Sequence, residues 1–196
     1  MRYTADGSIA SCFRSRLNKT LGVMKIGSTL LLALLSSVAL ANESVTPTDV
    51  IDMIKSKGTD AALRSLYQDE SRWLELLRGI ATGKTQWLAV ATKLRPASDA
   101  GASEQLALAV GEALANRAGN VLSIAVPGFT ISSVCSGPDV DDKRFDSYRL
   151  AMAAIEKRER RVRAVKNERL AAIRDRCLTE LEQAKLGVAS FYAPPK

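Results

Sequence analysis

Residues 71–96 read SRWLELLRGIATGKTQWLAVATKLRP, and this stretch decides the fold class. Two sets of apolar side chains, one beginning at Trp73 and one at Trp87, each recur at offsets of 0, 3, 4 and 7 residues. That spacing places each set on one face of an α-helix. Gly83 separates the sets, at a position where helices often end in the left-handed conformation, and Pro96 stops the second helix. The stretch therefore predicts two short helices joined by a tight turn.

The turn of this hairpin carries the letters GKT, which also end the phosphate-binding loop of ATPases and GTPases. That loop requires a glycine five residues before the glycine of GKT, and it must follow a β-strand. Gly79 lies only four residues before Gly83, and Arg78 occupies the position that needs glycine. The segment before the turn also has a helical period. We therefore predict a helix–helix turn and no nucleotide site.

The helical pattern extends on the N-terminal side of the hairpin. Pro47 follows a threonine that can act as a cap, and together they open a helix. Gly58 is expected to end this helix, and Thr59 or Asp60 to cap the next one.

The pattern also extends on the C-terminal side. Ser103 is expected to cap a helix that ends at Gly119. A short last helix is expected to follow and to break at Pro127-Gly128. No strand-like alternation competes with this pattern, so residues 47–126 predict five or six short helices.

Trp73 and Trp87 lie 14 residues apart, and each is followed by leucine, so one helix plus one turn repeats in register. A unit of this kind cannot bury its apolar face alone, so neighbouring units must stack. In this respect residues 47–126 resemble the HEAT-like α-helical repeat proteins. The resemblance implies a protein-binding scaffold. Both tryptophans are expected in the core, and either one, if exposed on a concave side, would anchor a protein partner.

The C-terminal third is expected to be helical and rich in charge. Residues 129–139 lack a period, and a sparse apolar stripe from Asp141 to about Ala184 predicts one long helix or two helices. The acidic side chains of PDVDDK, residues 138–143, lack the spacing of a calcium loop and are expected to cap this helix. FYAPPK, residues 191–196, is expected to be part of a short tail.

The first 41 residues are expected to be removed by processing. Met24-Lys25 precedes the apolar run TLLLALLSSVALA, which ends at Ala41 in the A-x-A pattern of a signal-peptide cleavage site. The run is too short for a bilayer span, which needs about 20 residues. We expect translation to start at Met24, which makes residues 1–23, beginning with Met1, an upstream extension. We predict export to the periplasm or beyond, with no transmembrane segment after processing.

Cys12 belongs to the predicted leader, so its removal leaves two cysteines, Cys135 and Cys177. An even pair of cysteines in an exported chain predicts one disulfide. Closing a loop of roughly 40 residues would stabilise the fold by about 4 kcal/mol in the chain-entropy model.

The high net charge of +7 belongs largely to the leader. Residues 1–41 hold five of the 28 basic residues and one of the 21 acidic residues, which leaves a net charge of +3 for residues 42–196. A charge this small gives little support to nucleic-acid binding. We expect no nucleic-acid partner.

The chain lacks the residues that most catalytic and metal sites need. It contains no histidine, which excludes Ser-His-Asp and Cys-His catalysis and every histidine-containing metal site. Two cysteines cannot build a Cys₄ zinc site. Glu70 and Glu75 are a candidate pair for a carboxylate hydrolase only because they flank Trp73, and we expect them instead on solvated helix faces. We expect no catalytic residue, no metal and no cofactor.

The densest charge lies at residues 156–176, where nine basic residues accompany four acidic ones. One hypothesis is a basic face for an acidic protein, anionic lipid headgroups or cell-wall polymer. The other is a solvated helix with i,i+4 ion pairs such as Glu156–Arg160 and Glu159–Arg163. The candidate interaction residues from this cluster and from the repeat are Arg158, Arg160, Arg161, Arg163, Lys166, Trp73 and Trp87.

These patterns predict an all-α protein with one disulfide. A stack of short antiparallel helices is expected over residues 42–128, a disulfide-tied long helical segment over 129–187, and a tail over 188–196. The expected function is that of an exported, non-catalytic protein-interaction module, such as an inhibitor, an immunity protein or an accessory subunit. Its protein partner is unknown, and a homodimer through the long helix is one arrangement. The alternative is an envelope-binding protein that uses the basic helix on anionic lipid or cell-wall polymer.

Overall fold

The computed structural model describes residues 44–125 and 128–193. The predicted all-α fold is confirmed, because this part of the chain forms helices and turns and contains no strand. The helices are α1 (Pro47–Lys57), α2 (Thr59–Tyr67), α3 (Glu70–Ala81), α4 (Thr85–Leu94), α5 (Ala100–Ile124), α6 (Ile131–Val134), α7 (Tyr148–Arg163) and α8 (Ala171–Phe191). Short 3₁₀ turns lie at Arg95–Ala97, Lys143–Phe145 and Glu168–Leu170. The predicted leader lies outside the described residues.

The hairpin predicted from residues 71–96 is formed by α3 and α4. Gly83 has a φ of 69°, in the left-handed region, and Lys84 is the N-cap of α4. The ring of Trp87 packs directly on Gly79, where a Cβ atom would collide with it. GKT is therefore the turn of a helical hairpin, as the sequence predicted.

The N-terminal helices follow their local signals closely. The Thr46 hydroxyl accepts a hydrogen bond from the Asp49 N–H, and the Asp49 carboxylate accepts one from the Thr46 N–H, which completes a capping box at the start of α1. Gly58 ends α1 with a φ of 80°. One detail differs, because Gly58 is also the N-cap of α2, and neither Thr59 nor Asp60 caps it.

The sequence predicted two helices after the hairpin, but the structure has one kinked helix, α5, in their place. Asp99 caps it in place of Ser103, and its carboxylate accepts from the Ala102 N–H at 2.9 Å. The helix continues beyond Gly119, interrupted only at Arg117, whose φ of −142° and ψ of 61° are non-helical.

The kink in α5 lies against the turn between α3 and α4. Asn116 Nδ2 donates to the Ala81 carbonyl at 2.9 Å, and Asn120 Nδ2 donates to the Gly83 carbonyl at 3.0 Å. These bonds satisfy carbonyls that the end of α3 leaves without helical partners. Tertiary hydrogen bonds on both sides of Arg117 therefore account for the kink and for the continuation past Gly119.

The C-terminal third is a helical hairpin of α7 and α8, so the predicted long segment is two helices. Asp142 does not cap α7, because its carboxylate accepts from the Arg144 N–H and opens the 3₁₀ turn. Ser147 is the N-cap of α7 and makes no side-chain cap bond. The tail predicted over residues 188–196 begins later than expected, because α8 continues to Phe191 and the Tyr192 hydroxyl donates to the Phe145 carbonyl.

Helix α5 lies at the centre of the core, in contact with α3 and α4 on one side and with α6 and α7 on the other. The predicted disulfide is confirmed: Cys135 and Cys177 are both fully buried, with an S–S distance of 2.10 Å and a Cα–Cα distance of 5.3 Å. It links the end of α6 to α8. Within the described ranges, no helix is both long and apolar enough to cross a membrane.

Candidate functional site

The predicted basic cluster lies on α7, on the turn that follows it and on the first part of α8. Two of its exposed arginines are paired along α7 as expected: Arg160 lies 3.9 Å from Glu156, and Arg163 forms an ion pair with Glu159. Exposed pairs of this kind are worth little free energy, but they neutralise part of the cluster. The two arginines therefore contribute less positive potential than their number suggests.

Apart from Lys157 in the middle of α7, four exposed cations give the cluster most of its net positive charge. They lie in the last turn of α7, in the connecting turn or in the first two turns of α8, and no carboxylate of the described residues approaches them within 4.0 Å. We call this group the basic tip; it consists of Arg161, Lys166, Arg169 and Arg176. The sequence pointed to Arg161 and Lys166 but not to the other two as interaction residues.

Arg158 is not part of this surface, which corrects the set expected from the sequence. Only 3% of the residue is exposed, and its Nη1 donates to the Ser136 carbonyl at 2.8 Å. Arg158 shares the buried stripe of α7 with Ala151, Ile155 and Val162. Burial lowers the pKa of Arg158 to about 10, while the charge of Glu112 opposes the shift and that of Arg144 adds to it.

Trp73 and Trp87 are both buried, so neither is an exposed anchor for a partner. Trp73 Nε1 donates to Gln105 Oε1, and the ring of Tyr67 meets Trp73 edge-on with centroids 5.1 Å apart. These contacts join α2, α3 and α5. The expectation that both tryptophans belong to the core is confirmed.

An aromatic cluster, absent from the sequence prediction, lies where α7 begins and α8 ends. The ring centroid of Tyr192 lies 6.4 Å from that of Tyr148 and 5.0 Å from that of Phe191. Tyr148 is 48% exposed and Phe191 is 58% exposed. Tyr148 belongs to the apolar stripe predicted for residues 141–184, and no local signal joins it to residues so far along the chain. Only the antiparallel pairing of α7 and α8 assembles the cluster.

A cavity of about 240 Å³, with a mostly apolar lining and three charged side chains, lies between α3, α5, α7 and the 3₁₀ turn Lys143–Phe145. Glu112, which lines the cavity, accepts hydrogen bonds from Arg144 at both of its oxygens, at 3.2 and 2.6 Å, and Arg144 also binds Asp142 at 2.6 Å. These interactions with Arg144 lower the pKa of Asp142. The residues that line the cavity are Ala81, Glu112, Ala115, Asn116, Phe145, Ala154, Lys157 and Arg158.

The described residues bring together no group of three or more histidine, cysteine, aspartate or glutamate side chains that could hold a metal ion. Glu70 and Glu75, considered above as an acid pair, lie five residues apart on α3 and so do not face each other across a cleft. Comparisons with protein-family models, with curated proteins and with solved structures find no match for this chain.

Proposed function

We propose that this chain is an exported, non-catalytic protein-interaction module whose contact surface is the aromatic cluster Tyr148, Phe191 and Tyr192. The observation that carries the proposal is the exposure of Tyr148 and Phe191, whose rings both contact the ring of Tyr192 on a helical hairpin. Tyrosine and phenylalanine are enriched at protein interfaces, because they bury a large area at a small cost in conformational entropy. An inhibitor, an immunity protein or an accessory subunit would use such a surface.

The cluster is held in place before any partner binds. The hydroxyl of Tyr192 donates to the Phe145 carbonyl, and Phe191 belongs to the last turn of α8. Aromatic side chains that are already ordered lose little freedom on association. This preorganisation supports a binding surface rather than a flexible end of the chain.

Two features of the sequence support export, and with it a periplasmic or secreted location. Residues 24–41 have the layout of a signal peptide, with cleavage proposed after Ala41. The disulfide between Cys135 and Cys177 is of the kind that persists in oxidising compartments. The resemblance of residues 47–126 to HEAT-like repeats, which implies a scaffold for protein binding, stays a prediction.

The first experiment is affinity capture from the envelope fraction, with mild cross-linking and mass spectrometry. The bait is the chain exported with its own leader, with the tag inserted directly after Ala41 so that the C-terminal cluster is unmodified. We expect one stoichiometric protein partner. Self-cross-linking alone would identify a second copy as the partner, and capture of no protein would contradict an interaction module.

A matched pair of variants locates the surface. Tyr148→Ser with Phe191→Ser removes the aromatic cluster, whereas Leu74→Ser removes a comparably exposed apolar residue, at 47%, from α3. We expect the cluster variant to lose the partner and the Leu74 variant to retain it. Equal capture by both variants would show that the partner binds elsewhere on the molecule.

A second candidate function, envelope binding, is favoured by the basic tip. Its four cations lack carboxylate partners among the described residues, and each lysine or arginine near an anionic surface contributes about 1 kcal/mol. Co-sedimentation with phosphatidylglycerol vesicles should then be strong at low salt and weak at high salt. Vesicles of phosphatidylcholine alone serve as the neutral control.

Charge reversal at the basic tip tests this second function, and a control variant with the same net charge carries its substitutions elsewhere on the molecule. The test variant is Arg161→Glu, Lys166→Glu and Arg169→Glu. The control variant is Lys57→Glu, Arg64→Glu and Arg78→Glu, three exposed cations of the N-terminal helices. Loss of sedimentation in the test variant alone supports the tip, whereas equal loss in both variants indicates a response to net charge only.

A further inference from the structure

Arg158 is the one charged residue that is buried in the part of the chain that the structure describes. It lies under the loop that carries Ser136, next to the disulfide, and it also lines the cavity between α5 and α7. An arginine is expensive to bury because its charge loses the solvation of water, and such residues normally have a close anionic partner. No carboxylate of the described residues lies within 4.0 Å of Arg158.

The guanidinium of Arg158 has more donors than the described residues use. Nη1 donates to the Ser136 carbonyl, and the other two nitrogens have no acceptor among residues 44–125 and 128–193. No fully buried side-chain nitrogen or oxygen in these ranges lacks a hydrogen-bond partner, so Nε and Nη2 must reach solvent. Because Arg158 is otherwise buried and lines the cavity, the cavity is where these donors are expected to meet solvent.

The charges around the cavity leave one positive charge uncompensated. Glu112 and Asp142 are both bound by Arg144, and neither Arg158 nor Lys157 has a carboxylate of the described residues within 4.0 Å. Three cations and two carboxylates give a net charge of +1. A singly charged anion would bring this net charge to zero, whereas a dianion would leave an excess negative charge beside Glu112.

We propose that this cavity binds one carboxylate group, through Nε and Nη2 of Arg158 with Lys157 beside it. The planar guanidinium fork matches a carboxylate in a bidentate arrangement. Apart from Glu112 and Asn116, the remaining wall is made of Ala81, Ala115, Ala154 and Phe145, which suit a short aliphatic chain. The carboxylate belongs either to a free short-chain acid or to a glutamate side chain of a protein.

The cavity and the aromatic cluster are neighbours, because Phe145 lines the cavity and its carbonyl accepts from the Tyr192 hydroxyl. A protein bound to the aromatic cluster could therefore place an acidic side chain next to Arg158. The carboxylate site itself rests on the cavity and on Arg158, and it stands whether or not the aromatic cluster binds a protein.

The test is an NMR titration that observes the Nε–Hε signal of Arg158 in the intact, disulfide-bonded protein, residues 42–196. Sodium butyrate probes a free acid, with neutral butyramide as its control. The peptide acetyl-Ala-Glu-Ala-amide probes a protein-borne carboxylate, with acetyl-Ala-Gln-Ala-amide as its control. We expect a saturable shift with at least one carboxylate, with a Kd of about 1 mM, and none with the neutral amides.

Variants then assign the binding to Arg158. Binding to the variants is followed through the backbone amide signals of the cavity residues Phe145 and Lys157, since the Arg158 signal is lost when Arg158 is replaced. Arg158→Met, whose missing signal identifies that of Arg158 in the wild type, should weaken binding by at least about tenfold, and Arg158→Lys should weaken it less because it keeps the charge but loses the fork. Arg149→Met, on the exposed start of α7, should leave binding unchanged. Tighter binding of the glutamate peptide than of butyrate indicates a protein source, and the reverse indicates a free acid.

Two results would overturn the carboxylate site. One is the absence of a saturable shift of the Arg158 signal with either carboxylate in the wild-type protein, which does not depend on the folding of any variant. The other is undiminished binding in Arg158→Met. Failure to capture a protein partner would leave both results unaffected, so this test is independent of the proposed function.

Discussion

Two glycines of α5 show how the same residue type has opposite roles at the residue scale. A Cβ atom on Gly111 would lie 2.7 Å from the carbonyl oxygen of Val134, which is backbone and cannot rotate away. A Cβ atom on Gly119 would meet nothing within 4 Å. Gly111 therefore permits the close approach of α5 and α6, next to Cys135, whereas Gly119 makes no such contribution.

We expect Gly111→Ala to lower the free energy of unfolding by about 1–3 kcal/mol, because the new methyl group must displace the backbone of α6. Gly119→Ala in the same helix should raise it by about 0.5–1 kcal/mol, because alanine loses less conformational freedom on folding. Urea unfolding monitored by circular dichroism measures both. Equal effects of the two substitutions would show that α5 and α6 do not pack as closely as described.

At the scale of elements, α7 and α8 are joined by apolar contacts and by one ionic link. Glu159 on α7 is mostly buried and lies 2.8 Å from Lys185 on α8, as well as forming its ion pair with Arg163. Hydrogen bonds from Lys185 and from Arg163 lower the pKa of Glu159 below its usual value of 4.5. The ionised carboxylate is thus stabilised by folding, which makes the hairpin sensitive to acid.

We expect Glu159→Gln to lower the free energy of unfolding by about 1–2 kcal/mol at neutral pH. Because the pKa of Glu159 is lower in the folded state, its contribution is fully present above pH 4.5 and is lost as the pH falls through the folded value. The difference between variant and wild type should therefore disappear in acid.

Glu156→Gln is the control for this prediction. Glu156 is half-exposed and lies 3.9 Å from Arg160 within α7, so its removal should change the free energy of unfolding by about 0.5 kcal/mol or less. Urea unfolding across the pH range measures both variants. A difference for Glu159→Gln that persists unchanged in acid would mean that lost packing, not lost charge, is responsible.

At the scale of the whole molecule, the disulfide closes a loop that contains α7 and the start of α8. Cys135 and Cys177 are separated by 42 positions, and both are fully buried. Single domains have a free energy of unfolding of only about 5–15 kcal/mol, so one cross-link of this span is a large fraction of the total. The fold should therefore depend on the redox state of its compartment.

We expect Cys135→Ala with Cys177→Ala to lower the free energy of unfolding by about 4 kcal/mol in the chain-entropy model. Dithiothreitol should reduce the native protein slowly, because both sulfur atoms are buried, and much faster near the urea midpoint. If the protein were equally stable with and without the disulfide, the disulfide would no longer support our proposal that the chain is exported. The measurement is urea unfolding of the oxidised protein and of the double variant.

The sequence by itself determined two kinds of feature. One kind depends on interactions between residues that lie close together in the chain, and the other is an interaction for which the chain offers only one possible pair of residues. Apolar spacing and Gly83 were sufficient for the α3–α4 hairpin, and the i,i+4 ion pairs of α7 follow from helix geometry alone. The pairing of Cys135 with Cys177 was also predictable, because residues 42–196 contain no other cysteine. The start of α5 was predicted wrongly, because Ser103 was taken as the cap, whereas Asp99, four residues earlier, caps the helix.

Only the tertiary structure decided which of these helical faces are covered. Arg158 lies at a helical position of the apolar stripe of α7, but arginine is a residue type that is normally solvated, and its burial follows from the packing of α7 against α5 and the loop at Ser136. The kink at Arg117 depends on carbonyls of the distant α3–α4 turn, and the aromatic cluster depends on the antiparallel pairing of α7 and α8. The physical reason is common to all three: helix periodicity fixes which residues share a face, whereas the exposure of that face depends on residues far away in the chain.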